Sequence, residues 1–345
     1  MFKSILSLSI MMPIKHIFHL CRPILFILLL LPFSSRAESD AIKDNKLIVL
    51  FHGLCNKAAS FKKIQKELEE KFPSVSIVAL TSVEGIQSLN LSIKDQATAC
   101  FEELKEKVGD VTNKCVLLIG HSQGGNRAYT FLKQYENLLN VKGLITLATP
   151  WEGAPGARVD RKMLAKHLTN DVLTDLRTLS TELGCPATQL EEKLMLEITK
   201  NQGICMFPGA KDLIVGSDFL CATQKMLANE ELPILFIGAE QNDFGALLSN
   251  NVNKYSFQAL NNMYSFFIVG DGHVNTSHDM QVPLYSQHAL NIAPNKKNFK
   301  KVFVKGVFHS PYILGIRVPK GKAMLSNDSV LDQIIEFTKT AFGKE

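Results

Sequence analysis

The chain has 345 residues, 46% of them apolar, and a formal net charge of +5. Its first 37 residues contain no acid and four basic side chains, Lys3, Lys15, Arg22 and Arg36. The rest of the chain is therefore near neutral, at about +1, and its composition does not indicate binding to nucleic acid.

The first segment is predicted to be an export signal. Three of its basic residues precede an apolar run over 23–32, and residues 35–37 place small side chains where a signal peptidase reads. The run is too short to span a bilayer comfortably. We expect residues 1–37 to be removed and the mature protein to be periplasmic or secreted. An uncleaved membrane anchor is the alternative, and Met11 or Met12 could be the true start.

Six cysteines follow the predicted signal: Cys55, Cys100, Cys115, Cys185, Cys205 and Cys221. An even number in an exported chain permits disulfides, and the last three lie in one segment. Packed free thiols are the alternative. No Cys-x-x-Cys pair or His-rich spacing indicates a metal site, and we expect no metal or other cofactor.

Apolar strands alternate with amphipathic helices in the first part of the remaining chain. Strands are predicted over 46–51, 75–80, 116–119 and 141–147, and helices over 60–72 and 91–108. Buried strands separated by helices are typical of a parallel sheet covered on both faces. Ligands bind such sheets beyond the carboxyl ends of the strands, where His52, Ser122 and Thr149 lie.

The most specific motif is Gly120-His-Ser-Gln-Gly124, which follows the apolar residues 116–119 and precedes an amphipathic stretch over 126–136. In a G-x-S-x-G elbow the serine lies on a strained turn between strand and helix, and the glycines avoid collisions of side chains. The helix that follows directs its first N–H groups toward a forming oxyanion. Ser122 is therefore predicted to be a nucleophile.

Residues 151–231 interrupt the alternation because they are polar, mostly helical and without a strong strand. We interpret them as a cap, or lid, inserted between two parts of one core, 38–150 and 232–345. After the cap come a strand, an irregular Asn-rich stretch, an apolar run, a strand and a closing helix, over 232–238, 241–262, 265–270, 301–307 and 330–342.

A serine nucleophile needs a base, and the base needs an orienting carboxylate. On this type of sheet the chain order is serine, acid, histidine. His309 directly follows the last predicted strand, so we expect it to be the base. His273, His278 and His288 are the alternatives.

Three aspartates compete for the role of the acid. Asp271 is preferred, because it follows an apolar run and Gly272 lets the backbone turn. Asp243 follows the strand over 232–238 more closely, and Asp279 opens another loop. The oxyanion is expected to be bound by the backbone N–H groups of Leu54 and Gln123.

Together these motifs resemble the bacterial lipases and esterases of the α/β-hydrolase fold. The resemblance is carried by residues 51–54, 92–104, 120–124, 148–153, 212–220 and 270–274. Residues 92–100 and 120–125 also resemble palmitoyl-protein thioesterases. The resemblance implies an α/β-hydrolase fold with a helical cap, a structural role for Asp212, and Asp271 as the acid.

The resulting prediction is a serine hydrolase that cleaves acyl or lipid carboxylic esters through an acyl-enzyme on Ser122. An acyl-protein thioesterase of the palmitoyl type would use the same residues and differ in the leaving group. A hydrolase-fold binding protein without catalysis is an alternative of another class. The expected partner is a small-molecule or lipid ester. Contact with membrane lipids and the oligomeric state are left open.

Overall fold

The computed structural model describes residues 45–158, 166–248, 256–270 and 276–343, so the predicted signal over 1–37 lies outside the described residues. Its centre is one parallel sheet with the strand order β2-β1-β3-β4-β5-β6. The six strands are β1 (Lys46–Phe51), β2 (Ser76–Ala79), β3 (Cys115–His121), β4 (Asn140–Leu147), β5 (Ile234–Glu240) and β6 (Phe299–Lys305). The prediction of a parallel sheet is confirmed.

Helices follow or separate these strands. The α-helices are α1 (Lys62–Lys71), α2 (Gln87–Asn90), α3 (Ile93–Val108), α4 (Gln123–Tyr135), α5 (Asn170–Glu182), α6 (Ala187–Ile204), α7 (Pro208–Lys211), α8 (Asp218–Ala228), α9 (Gln258–Val269), α10 (Leu284–Gln287) and α11 (Asp328–Phe342). Short 3₁₀ turns span Ala58–Phe61, Pro155–Arg158, Phe244–Leu247 and Met324–Ser326. A hairpin of β7 (Tyr312–Ile313) and β8 (Ile316–Arg317) follows the sheet.

The sheet is covered on both faces because successive side chains of a strand point to opposite sides. Leu47 and Val49 pack with residues of α3 and α4 on one face. Ile48 and Leu50 pack with residues of α1 and α11 on the other. All four side chains are buried, which explains why β1 reads as a continuous apolar run rather than an alternating one.

A third apolar cluster lies outside the sheet. It joins α5, α6 and α9, which we call the cap layer. Helix α9 begins inside the stretch that we expected to be irregular and includes the apolar run that follows it. Residues 263–269 are all buried, so α9 lacks the polar face that would have revealed its helical period. Leu227 of α8 and Trp151 belong instead to the core of the sheet.

Two further observations concern the segments outside the sheet. Within the described ranges, no helix has both the length and the apolar character needed to cross a bilayer. Cys185 and Cys221 are free thiols, so no disulfide clasp joins the cysteines of their segment.

Candidate active site

Ser122 lies on a sharp turn between β3 and α4. Its backbone angles are φ 53° and ψ −129°, in a region that side chains other than glycine rarely adopt. The Ser122 N–H donates to the carbonyl of Leu147 at the end of β4, at 2.8 Å. Because β3 is a central strand of the sheet, this turn presents the serine at its carboxyl edge.

The two glycines of the motif permit close contact of backbones. A Cβ atom on Gly120 would lie 2.4 Å from the carbonyl oxygen of Gly124. A Cβ atom on Gly124 would lie 2.1 Å from the carbonyl oxygen of Phe51 in β1. Both distances are far below van der Waals contact, so α4 can begin this close to the sheet only where these side chains are missing.

His309 and Asp279 form a buried pair. Nδ1 of His309 donates to Oδ2 of Asp279 at 2.7 Å, and the His309 backbone N–H donates to the Asp279 carbonyl at 2.9 Å. The other carboxylate oxygen of Asp279 accepts from the backbone N–H groups of Gln281 and Val282, at 3.0 and 2.8 Å. These bonds orient the carboxylate, fix the ring of His309 and leave its Nε2 as the basic nitrogen.

Of the three candidate acids, the structure brings Asp279 to His309. Asp243 is turned elsewhere, since its Oδ1 accepts from the Gly245 N–H at 2.8 Å and from Asn261 at 3.0 Å. Asp271, which the sequence favoured, lies outside the described residues. Asp279 reaches His309 because the segment before it returns to the end of β5. The Gln241 N–H donates there to the His278 carbonyl at 2.7 Å.

Two of the three alternative histidines are engaged in other contacts. Nε2 of His278 bonds the Ser265 hydroxyl at 2.8 Å, and Nε2 of His288 donates to the Val302 carbonyl at 2.9 Å. His273 lies outside the described residues.

Two further histidines lie close to Ser122 and are held neutral. Burial and, secondarily, the charge of His309 keep the pKa of His121 well below its ordinary range. Its Nε2 donates to the His309 carbonyl at 3.2 Å, and the two rings lie 4.8 Å apart. Burial, with the nearby charge of Arg127, lowers the pKa of His52 to about 4. His309 can therefore accept a proton without a second imidazolium beside it.

The predicted oxyanion donors lie on either side of Ser122. Leu54 follows β1, and a Cβ atom on the preceding Gly53 would lie only 3.0 Å from Cβ of Ser122. Gln123 is the first residue of α4. In the described part of the chain neither backbone N–H has an acceptor. Both donors are thus available to a developing negative charge.

Ser122 and His309 open into the same cavity, which has a volume of about 300 Å³. Much of its wall is apolar. This part comes from α9 and from residues 208–213, which we call the α7 segment: Ala210, Leu213, Tyr264, Phe267 and Ile268. Asn56, Gln281 and Ser310 form a polar part of the wall. Sequence reasoning missed the α9 residues, although the run over 265–270, extended back to Met263, could have been tested as a buried helix.

Asp212 has a structural position, as the resemblance implied. Its Oδ2 accepts from the Ile93 N–H at 2.7 Å, where α3 begins. Among the residues that the structure describes, no group of three or more His, Cys, Asp or Glu side chains is placed to hold a metal ion.

Comparison with known proteins agrees with this architecture. The model of the palmitoyl protein thioesterase family matches residues 47–183, which include Leu54 and Ser122 but not Asp279 or His309. Phospholipase PlaB from Legionella pneumophila is similar in structure, with a TM-score of 0.50 and 12% sequence identity over 86% of this chain. This chain spans 64% of that phospholipase. The fold is that of an α/β-hydrolase.

Other α/β-hydrolases of known structure are similar at comparable identity. A monoacylglycerol lipase from Paleococcus ferrophilus has a TM-score of 0.47 and 13% identity, covering 86% of this chain and 94% of that one. MenH from S. aureus has a TM-score of 0.41 and 14% identity, covering 87% and 95%. Comparison with curated proteins finds no match.

Proposed function

We propose that this α/β-hydrolase is an exported serine hydrolase that cleaves carboxylic esters of acyl or lipid type through an acyl-enzyme on Ser122. One observation carries the proposal: the strained Ser122 opens into the same cavity as His309, whose Nδ1 is bonded to the buried Asp279. The proposed export depends on the predicted signal over residues 1–37.

The geometry supports a two-step reaction. Ser122 Oγ attacks the ester carbonyl while Nε2 of His309 takes its proton, and Asp279 stabilises the imidazolium. The N–H groups of Leu54 and Gln123 bind the oxyanion, and His309 then protonates the departing alcohol. A water molecule, deprotonated by His309, releases the acid from the acyl-enzyme by the reverse sequence.

The shape and lining of the cavity support an acyl substrate. Its apolar wall, on α9 and the α7 segment, offers a surface on which an alkyl chain gains from leaving water. The polar part of the wall, near His309, is available to the leaving group. The phospholipase among the structural neighbours supports this substrate class.

Acyl thioester hydrolysis is the second candidate, and the match to the palmitoyl protein thioesterase model favours it. The catalytic residues would be the same, because ester and thioester pass through similar tetrahedral intermediates and differ in the leaving atom. Only a direct comparison of the two leaving groups can separate these functions.

The test uses the mature chain, residues 38–345, with esters and thioesters matched in acyl length. We expect turnover of at least one series and labelling of Ser122 by a fluorophosphonate, located by peptide mapping. The Ser122→Ala variant should lose on the order of 10⁵-fold or more in kcat. Undiminished turnover by Ser122→Ala would refute the nucleophile. A chain that is neither active nor labelled would instead support a binding protein without catalysis.

A further inference from the structure

Arg127 is a buried cation behind the nucleophile. It lies on α4, one turn past Gln123, and its side chain is 1% exposed. Within the described ranges it forms no ion pair, and its Nε has no hydrogen-bond partner. An unpaired buried charge destabilises a fold. An apolar side chain of similar size would fill the same space with a smaller loss of folding free energy. Packing alone therefore does not account for this residue.

The guanidinium is aimed at the segment that follows β1. Its Nη2 donates to the carbonyl of His52, and its Nη1 donates to Oε1 of Gln96 at 2.8 Å. The carbonyl of His52 lies two residues before Leu54, the predicted oxyanion donor. Because Arg presents its donors in a rigid planar fork, it fixes both acceptors relative to each other.

Gln96 extends this contact to the other side of Leu54. Its Nε2 donates to the carbonyl of Ser88 at 2.8 Å. The hydroxyl of Ser88 accepts from the backbone N–H of Cys55 at 2.7 Å. Leu54 thus lies between two groups that this network holds: the His52 carbonyl, two residues before it, and the Cys55 N–H, which Arg127 reaches through Gln96 and Ser88.

The side chain of Gln123, whose backbone N–H is the second predicted oxyanion donor, also bonds the Ser88 carbonyl. Nε2 of Gln123 donates to the Ser88 carbonyl at 3.2 Å and to the Gly209 carbonyl at 2.8 Å. Ser88 therefore links the residues of both donors, and this linkage reaches Arg127 through Gln96.

We propose that Arg127 is a positioning residue that fixes the Leu54 N–H in the oxyanion hole by holding the His52 carbonyl. It touches no reacting atom and acts through the backbone. The inference rests on the proposed function, because an oxyanion hole matters only if Ser122 attacks a carbonyl. Displacing one donor weakens binding of the transition state more than binding of the substrate, so the effect should fall on kcat.

The test compares the mature wild-type chain with Arg127→Met, Arg127→Lys and Thr130→Val. Thr130 lies on the same helix, and among the described residues its hydroxyl bonds the Asn126 carbonyl alone, so Thr130→Val is a control for loss of stability. For a short p-nitrophenyl ester we expect Arg127→Met to lose about 10²-fold in kcat, with KM changed by less than about threefold. Affinity for an alkylboronic acid, which mimics the tetrahedral intermediate, should fall in parallel.

Arg127→Lys can reach one acceptor rather than two and should lose about tenfold in kcat. Thr130→Val should lower Tm and leave kcat unchanged. A kcat of Arg127→Met within about threefold of wild type, or unchanged affinity for the boronic acid, would overturn the proposal. The proposal also fails if Thr130→Val loses as much kcat as Arg127→Met. If Arg127→Met does not fold, Arg127→Lys with wild-type kcat and wild-type affinity for the boronic acid overturns it. Absence of turnover in the wild-type chain would count against the proposed function alone.

Discussion

The region around the nucleophile and the cap layer are built in opposite ways. Residues 123–132 of α4 are all buried, and backbones there approach so closely that Gly120 and Gly124 cannot be replaced without movement. The cap layer, in contrast, leaves Leu196 of α6 63% exposed and borders the cavity with the apolar side chains of Tyr264, Phe267 and Ile268. Close packing in the first region fixes the backbone around Ser122, and the second region supplies an apolar wall of the cavity. We infer that catalysis depends on the former and substrate choice on the latter.

The largest expected effect separates the acid from the other carboxylates. Asp279→Asn should lose about 10⁴-fold in kcat, because the amide cannot hold His309 in the productive tautomer. Asp243→Asn, whose carboxylate bonds Gly245 and Asn261 instead, should stay within about threefold of wild type. Steady-state kinetics on one ester checks both. A large loss for Asp243→Asn or Asp271→Asn, with Asp279→Asn active, would show that the pairing seen here is not the catalytic one.

Glycine substitutions should distinguish the two regions by stability. In Gly124→Ala the new Cβ meets the Phe51 carbonyl, and we expect a loss of at least about 3 kcal/mol in the free energy of unfolding. In Gly184→Ala, beside the cap layer, no atom lies within 4 Å of the new Cβ. Only the positive φ of 65° is unfavourable, and it should lower the free energy of unfolding by about 1 kcal/mol. Urea unfolding measures both values. Equal losses would mean that the crowding at the elbow relaxes easily.

Acid should destabilise both regions through buried histidines. Burial lowers the pKa of His52, near the nucleophile, and of His278, beside α9, to about 4 in each case. Between pH 6.5 and 4 the unfolded chain binds protons that the folded chain does not, so stability falls as the pH falls. Each histidine contributes up to about 3 kcal/mol of this loss. Urea unfolding from pH 7 to pH 4 measures it, and His278→Gln should flatten the profile. A flat wild-type profile would contradict the prediction.

The smallest effect concerns substrate choice. In Ile268→Trp the larger side chain fills part of the cavity beside its apolar wall. We therefore expect kcat/KM for esters of long acyl chains to fall about 10- to 100-fold, while kcat/KM for butyrate esters stays nearly constant. Leu196→Trp, on the exposed side of the cap layer, is the matched control and should change neither. A uniform loss across chain lengths would indicate that α9 supports the catalytic residues rather than the acyl chain.

The alternation of continuous apolar runs with amphipathic segments made much of the fold predictable. β1 was predicted at its observed bounds, and the elbow and the position of His309 follow from where apolar strands end. The bounds of α9 were not predictable, because residues 263–269 are all buried and this part of the helix shows no polar period. The sequence favoured Asp271 but left the acid open among Asp271, Asp243 and Asp279 for a related reason. Its position depends on where an inserted segment rejoins the sheet, and distance along the chain does not report that.

His309 is joined to Asp279 through both main chain and side chain, and the segment before Asp279 is bonded to Gln241 at the end of β5. The distance between these two side chains is therefore set by these contacts and not by the number of residues between 241 and 278. For protein engineering, substitutions on the cavity side of α9, at Tyr264, Phe267 or Ile268, are therefore the natural way to change the substrate without moving this pair.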